Sequence, residues 1–527
     1  MFKRRNNQSN PDVSNGVSIE EFKETYQVVE EYPIQDPFSR VHIVKAPELG
    51  EGHHYFVDEA PLSGEEFNTY EKIIRILSKE LLPPEDDEMT PDEYVYKETL
   101  RVTKKYRRSI GKFAKGGREK ILYYVTRHLA GYGPLQVLIK DPQIEDISHN
   151  GLNCPIFVWH RKFESIPTNI TFTDDQVMND FIVKLAHRSA KHISSARPIL
   201  DAMLPEKHRL AATFMKEISQ KGSTFCIRKF KADPFSIVDL IRIGTMDERI
   251  AAYFWLILEH KLSFMILGGT GSGKTSALNA LLSLMSQNDK IVTVEEVLEL
   301  TPPLANWTQL NSREGFQFGR GAAASITLFD LVKVSLRFRP DYIIVGEVRG
   351  EEAHSLFQAL ATGHGGLCTM HANSLDNVFK RLISPPMNVS KEHISLMNIA
   401  FHIQRVKLPA TREGISFGRR VRTIWEIEDI DRYREVSIWN PQNDTFTTWF
   451  EDSHHLERIA PRIGLTKQEI LSELDAREKY LGGLLAEGIR NQKDVAQKIL
   501  YYYSQKTELE EALGTQISGN DVGGGHS

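Results

Sequence analysis

The residues with the clearest chemistry are Gly268-Gly269-Thr270-Gly271-Ser272-Gly273-Lys274-Thr275. They match G-x-x-x-x-G-K-[ST] at every fixed position, between the apolar run Leu262–Leu267 and a helical pattern with Leu278, Leu281, Leu282 and Met285 on one face. Strand, glycine loop and helix is the context in which that spacing cradles phosphate. Glycines let backbone N–H groups converge on an anion without Cβ clashes, and the helix N-terminus adds the positive end of its dipole. Lys274 would reach the β- and γ-phosphates, and the Thr275 hydroxyl would take a ligand position on Mg2+. The plain alternative is an ordinary glycine-rich turn between a strand and a helix.

Phosphoryl transfer to water also needs a positioned nucleophile and cations on the developing charge. Acids follow a second strand in Val294-Glu295-Glu296-Val297-Leu298-Glu299. Acids at the carboxyl end of a parallel strand face the ligand crevice. One of Glu295, Glu296 and Glu299 could orient or deprotonate the attacking water, or all three could belong to a solvated loop. The run Tyr342-Ile343-Ile344-Val345-Gly346-Glu347 ends a further strand in an acid. Glu347 stands there in place of the commoner Asp, and could hold magnesium through water or polarise the attacking water. His364 and His371 flank a short strand, Leu367–Thr369. Isolated histidines are more often satisfied core groups than catalysts, and these two are too few for a metal site without carboxylates nearby. Upstream, Arg209 and Arg228 carry guanidinium groups suited to bidentate phosphate contact. Each taken alone reads as a surface ion pair.

These groups need a scaffold. Strands are expected at 264–267, 291–294, 308–310, 342–345 and 367–369, with helices at 274–286, 327–338, 351–362 and 373–383. Several of the strands are fully apolar, as in parallel sheets covered on both faces. A β-rich extension follows at 398–406, 420–428 and 435–449. Two helices lie between Thr466 and about Leu513, and a glycine-rich tail over 514–527 is expected to be disordered. On the other side, residues 1–20 read as a mobile tail and 21–130 as a variable β and helical region. Its strand signals are at 26–29, 41–44 and 55–57, and a capping-box helix starts at Thr90-Pro91-Asp92-Glu93. Residues 131–230 alternate strand and helix signals, with Asn150-Gly151 as a hairpin mark, and read as a compact α/β domain. Asp233-Pro234 lies in a linker over 231–236, which leaves 237–513 for the phosphate-loop domain. No internal repeat is present.

The chain has 527 residues, 41% hydrophobic and 26% charged, with a net charge of −5. That is ordinary globular composition and gives no chain-wide nucleic-acid surface. The basic run Arg101–Lys120 reads as a solvated helix face, or as a contact with anionic lipid or an acidic partner. Cys154, Cys226 and Cys368 are far apart, which speaks against a zinc ribbon or a disulfide framework and for a reducing compartment. The N-terminus lacks the apolar core of a signal peptide, and no apolar run is long enough to span a bilayer. A soluble or peripheral protein is expected.

Taken together, these motifs resemble the secretion-ATPase superfamily that drives type II secretion, type IV pili and the archaellum. The resemblance covers about residues 130 to 505. It includes Gly133-Pro134-Leu135, Ile144-Glu145-Asp146-Ile147, Pro198-Ile199-Leu200-Asp201 with Leu204-Pro205, and Phe225-Cys226-Ile227-Arg228-Lys229. Glu295–Glu299 resembles the family's acidic "Asp box", with Glu295-Glu296 where Glu-Asp is usual. Gly346-Glu347 resembles its Walker B group, and Thr362–His371 its "His box". Phe157-Val158-Trp159-His160 looks like the archaeal branch, and the lack of a four-cysteine zinc module agrees. The resemblance implies a RecA-like P-loop ATPase core preceded by a smaller α/β, PAS-like domain and followed by a helical extension. It implies that Arg209 and Arg228 reach nucleotide across a subunit boundary, and that Glu295, Glu296, Glu299, Glu347, His364 and His371 belong to the catalytic machinery. A homo-hexamer, Mg2+ with ATP as substrate, a polytopic membrane platform protein and pilin- or archaellin-like subunits are implied as well. So is a cytoplasmic position at the inner face of the membrane.

The expected function is therefore an ATP-hydrolysing motor for a type IV pilus-like filament or type II-like secretion. Two other readings compete: a RecA-like ATPase dependent on nucleic acid, for which only the Arg101–Lys120 run speaks, and a nucleotide-gated assembly subunit without catalysis.

Overall fold

The computed structural model describes residues 10–12, 16–81, 89–111, 113, 116–230, 234–313, 325–409 and 417–504. The chain divides into two compact units, Met1–Lys231 and Ala232–Ser527. The expected disordered tail over 514–527 lies outside the described residues, as do residues 231–233 of the expected linker.

The first unit is a mixed sheet with helices. Its strands are β1 (Val17–Ile19), β2 (Gln27–Gln35), β3 (Ser39–Lys45), β4 (His54–Glu59), β5 (Ile144–His149), β6 (Pro155–His160), β7 (Glu164–Phe172), β8 (Ile199–Met203), β9 (Arg209–Thr213) and β10 (Thr224–Arg228). They lie in the order β2-β3-β4-β7-β6-β5-β10-β9-β8, with β1 also on β7. Two expectations are corrected here. Residues 131–230 do not keep a sheet to themselves, because Tyr55 of β4 pairs in parallel with Thr168 of β7. Val41, Ile43, Tyr55 and Val57 are buried in the same apolar cluster as Ile147, Val158, Leu210 and Ile227. A hairpin with one apolar face cannot bury that face alone, so β2–β4 extend the neighbouring sheet. The tail expected over 1–20 is also not wholly free. Val17–Ile19 runs antiparallel to β7, and the Asp12 carboxylate lies 2.5 Å from the buried Arg127 guanidinium, which also pairs with Glu59 at 3.0 Å. A buried guanidinium requires such partners.

Helices Gly64–Glu80, Pro91–Lys105 and Gly117–Leu129 cluster in the same unit. Ser63 and Glu66 form a capping box on the first, Thr90 and Glu93 on the second. Within the basic run, Arg101 pairs with Glu98, Lys105 with Glu80 and Lys120 with Glu66.

The second unit holds β11 (Phe264–Leu267), β12 (Ile291–Glu295), β13 (Trp307–Asn311), β14 (Tyr342–Val345), β15 (Gly365–Met370), β16 (Ile399–Lys407), β17 (Phe417–Asp429), β18 (Arg432–Asn440) and β19 (Thr445–Thr448). The order is β13-β12-β14-β15-β11-β16-β17-β18-β19. Strands from β13 to β16 are parallel to their neighbours, and β17, β18 and β19 are added antiparallel. β11, β12, β14 and β15 are buried along their whole length, as their mainly apolar runs suggest. The apolar window 250–267 is a helix, Glu248–Glu259, buried from Ile250 to Leu258, followed by β11. A helix apolar all round belongs in a core. Among the described residues no helix is long and apolar enough to cross a membrane.

Helix Lys467–Ala486 and a further helix over 492–504 cover the Glu248–Glu259 helix. Their contact centres on Arg477, which is 1% exposed and lies 4.7 Å from the Trp255 ring, 5.9 Å from Tyr502 and 5.7 Å from Tyr503. Its charge is matched by Glu473 at 2.9 Å and by Glu259.

Candidate functional site

Parallel strands end together, so the loops after β11, β12, β14 and β15 share one edge of the sheet. Leu267 is opposite Met370, and Val294 is opposite Val345. That edge carries Gly268–Thr275, Glu295 with Glu296, Gly346 with Glu347, and His371.

In the glycine loop, Gly271 has φ +69° and Gly273 φ +95°. Those left-handed values explain why glycine stands at both places. Gly273 precedes helix Lys274–Leu281, whose first turn has no side-chain cap. Its leading N–H groups are thus left to a ligand or solvent. The Lys274 ammonium donates to the Gly269 carbonyl at 3.0 Å, and the Ser272 hydroxyl to the same oxygen at 2.9 Å. Burial lowers the Lys274 pKa, nearby Glu347 and Glu299 oppose that shift, and Arg349 adds to it. The ends of β11, β12 and β14 bring both acids and Arg349 to the edge that carries the lysine.

The acids divide by environment. Glu295 is 2% exposed, and its Oε2 accepts from the backbone N–H of Glu299 at 2.7 Å and of Leu300 at 2.9 Å. Gln309 donates to Oε1 at 3.3 Å. Burial pushes its carboxyl up to about 7, against those three donors. Glu295 therefore shapes the loop that carries Glu296 and Glu299, and its own oxygens are occupied. Glu347 is partly exposed and accepts from Arg349 at 2.7 Å, while Arg349 reaches Glu296 at 3.4 Å. The turn behind Arg349 is held by Glu352, which accepts from the N–H groups of Arg349 at 2.5 Å and Gly350 at 2.7 Å. Thr369 ties Gly346 to β15 through its hydroxyl at 2.7 Å. Arg349 had no role in the sequence reading; its signal is the i, i+2 spacing from Glu347, which puts both on one side of an extended segment.

The two histidines separate. His371 follows β15 at the loop edge, is exposed, and its carbonyl accepts from Arg381. His364 precedes β15, at the opposite end of the sheet, with Nδ1 3.1 Å from the Thr362 hydroxyl. His364, expected among the catalytic groups, therefore lies at the other end of β15 from the glycine loop of its own chain. A strand of six residues carries the chain about 20 Å from one edge to the other.

In the first unit, Arg228 and Arg209 are directly opposite on β10 and β9. Arg228 pairs with Asp146 at 3.0 Å and Arg209 with Asp201 at 2.8 Å, and both side chains remain substantially exposed. Cys154, Cys226 and Cys368 are all free. No three His, Cys, Asp or Glu side chains converge into a metal cage among the described residues.

A glycine loop on the central strand of the nine-stranded sheet, with an acid two strands away and a parallel strand inserted between, defines a RecA-like P-loop ATPase core. It follows a smaller α/β unit and ends in a helical extension. The chain belongs to the type II/IV secretion system protein family, whose sequence profile matches residues 128–431. An uncharacterised protein of Methanocaldococcus jannaschii, MJ0900, is 34% identical over 509 residues, covering 90% of this chain and 89% of the relative. The conjugal transfer protein TrbB of Rhizobium radiobacter is 30% identical over 278 residues, covering 52% of this chain and 79% of that protein. Among solved structures, the ATPase DotB of Legionella pneumophila is similar at 16% identity and a TM-score of 0.39, covering 69% of this chain and 93% of that one.

Proposed function

We propose that this protein hydrolyses Mg2+-ATP as a homo-hexameric motor, driving assembly of a type IV pilus-like filament, archaellum or pilus, or type II-like export. The observation that carries this reading is the gathering of Lys274, Glu296, Glu347 and Arg349 at the strand ends beside the glycine loop, where Arg349 joins Glu347 at 2.7 Å and Glu296 at 3.4 Å. The N–H groups of Gly269–Thr275 would receive the β-phosphate. Lys274 would leave the Gly269 carbonyl for the β- and γ-oxygens. Magnesium arriving with the nucleotide asks for few protein ligands, all hard oxygens. The Thr275 hydroxyl and Glu347 carboxylate fit that donor set, and the ion would neutralise charge on the phosphates. Glu296, Glu299 and Glu347 are the candidates for orienting the attacking water, and His371 lies at the same edge.

Arg228 and Arg209 would complete a neighbouring subunit's site, offering guanidinium groups now paired with Asp146 and Asp201. Hydrolysis would alter the relation of the two units about residues 231–236, transmitting force to a polytopic platform protein and pilin- or archaellin-like subunits at the inner membrane face. Arg101, Lys105 and Lys120 of the basic run are ion-paired, and the net charge of −5 does not favour a nucleic-acid partner. The test is ATP turnover by the purified full-length protein. Lys274→Ala and Glu347→Gln should each lower it about 100-fold or more; undiminished turnover rejects the proposal.

A further inference from the structure

We propose that Arg419 is a positioning residue of the nucleotide site, holding the phosphate loop open for a nucleoside di- or triphosphate. This inference rests on reading the glycine loop as a phosphate cradle.

The Arg419 Nε–H donates to the Gly271 carbonyl at 3.2 Å. A Cβ built on Gly273 would come within 2.9 Å of the Arg419 Cδ, so the arginine stem lies across the loop at 271–273. Its place is set by β17. The next residue, Arg420, is 1% exposed and bidentate to Asp444 at 2.6 and 2.8 Å, with a further bond to the Ile243 carbonyl at 3.1 Å. Successive strand residues face opposite ways. The buried Arg420 thus anchors β17 from one face while Arg419 projects to the other, where the loop lies.

An anion cradle requires backbone N–H groups turned inward and carbonyls turned outward. The peptide after Gly271 follows a glycine and is held at its N–H end by a long bond from Ser272 to the Gly269 carbonyl at 3.4 Å, and a flip would aim its carbonyl oxygen at the phosphates. Arg419 holds that oxygen outward and adds a positive charge to the site. It differs from Lys274 in one respect. Lys274 must exchange the Gly269 carbonyl for phosphate on binding, whereas the Arg419 bond to Gly271 is kept in both states. Its effect therefore falls on binding, equally for ADP and ATP, and not on the chemical step.

The experiment measures binding of ADP and of a non-hydrolysable ATP analogue to the full chain by calorimetry, together with KM and kcat for ATP. The proteins are wild type, Arg419→Ala, Arg419→Gln, Arg419→Lys and Lys274→Ala. Arg419→Ala and Arg419→Gln should weaken both ligands about tenfold or more, the loss of a charge-assisted hydrogen bond. KM should rise in proportion while kcat stays within about threefold. Arg419→Lys should recover part of the affinity. Wild-type protein that binds neither nucleotide overturns the parent reading and this one with it. Binding that Lys274→Ala weakens and Arg419→Ala leaves unchanged overturns this one alone. So does a fall in kcat with KM unaltered, or an affinity loss in Arg419→Ala that Arg419→Gln and Arg419→Lys do not follow in that order.

Discussion

Glu295 makes a measurable claim about stability and pH. Burial raises its carboxyl from 4.5 to about 7 in the folded chain. Between those values the folded state keeps a proton that the unfolded state has released. Stability therefore falls as pH rises through this window, and the contribution present below 4.5 is gone above 7. One pKa unit corresponds to about 1.4 kcal/mol, so the group costs about 3 kcal/mol at pH 8 relative to pH 4. Glu295→Gln keeps the shape and an acceptor for the Glu299 and Leu300 N–H groups but has no proton to lose. Urea unfolding of both proteins between pH 5 and 8 reads the difference. Tryptophan fluorescence is a suitable signal, because Trp255, Trp307, Trp425, Trp439 and Trp449 lie in the second unit and Trp307 donates to Thr293 on β12 at 2.9 Å. Other titrating groups cancel between the two proteins. The variant should gain steadily on wild type as pH rises, by about 2 to 3 kcal/mol over the range. Curves that stay parallel would show that the carboxyl titrates near its ordinary value, and that the account of Glu295 as a buried loop-former is wrong.

Other consequences are sharper as activity measurements. Arg349→Ala, which frees Glu347 and Glu296 from their shared cation, should reduce ATP turnover by at least about tenfold, with wild-type turnover counting against the grouping. His371→Ala should lower turnover, whereas His364→Ala should leave it within about twofold, since only His371 is on the loop edge; the reverse order would contradict the strand-end assignment. Arg228→Ala should spare nucleotide binding and abolish turnover, an arginine finger being worth about 10³ to 10⁵ in rate. Mixing it with Lys274→Ala subunits should restore some activity, and no recovery at any ratio would refute action in trans. Arg477→Ala leaves Glu473 and Glu259 without their buried partner and opens a gap beside Trp255, so it should destabilise the second unit by about 3 kcal/mol or more, read as a lowered urea midpoint.

How far the sequence could be read follows from the range of each interaction. The glycine loop and strands β11, β12 and β14 were legible because each is a contiguous run whose pattern states its environment. Short, mainly apolar and β-branched runs that end in glycine or acid read as buried parallel strands with a functional end. Strand direction within the sheet was equally implicit, yet it decided the fate of the histidines. His364 and His371 look symmetric about Leu367–Thr369 until one asks which end of that strand is the carboxyl end; in a parallel sheet only the residue after the strand shares an edge with the glycine loop. That inference was available from the sequence. The contact between Arg419 and Gly271 was not, because it joins residues 148 apart and exists only once β17 has folded back on β16 past the bulge between His402 and Ile403. The same holds for Asp12 and Arg127. A short acidic residue in a polar tail carries no local sign that a buried guanidinium awaits it, since the requirement comes from the burial of the partner and not from the residue itself.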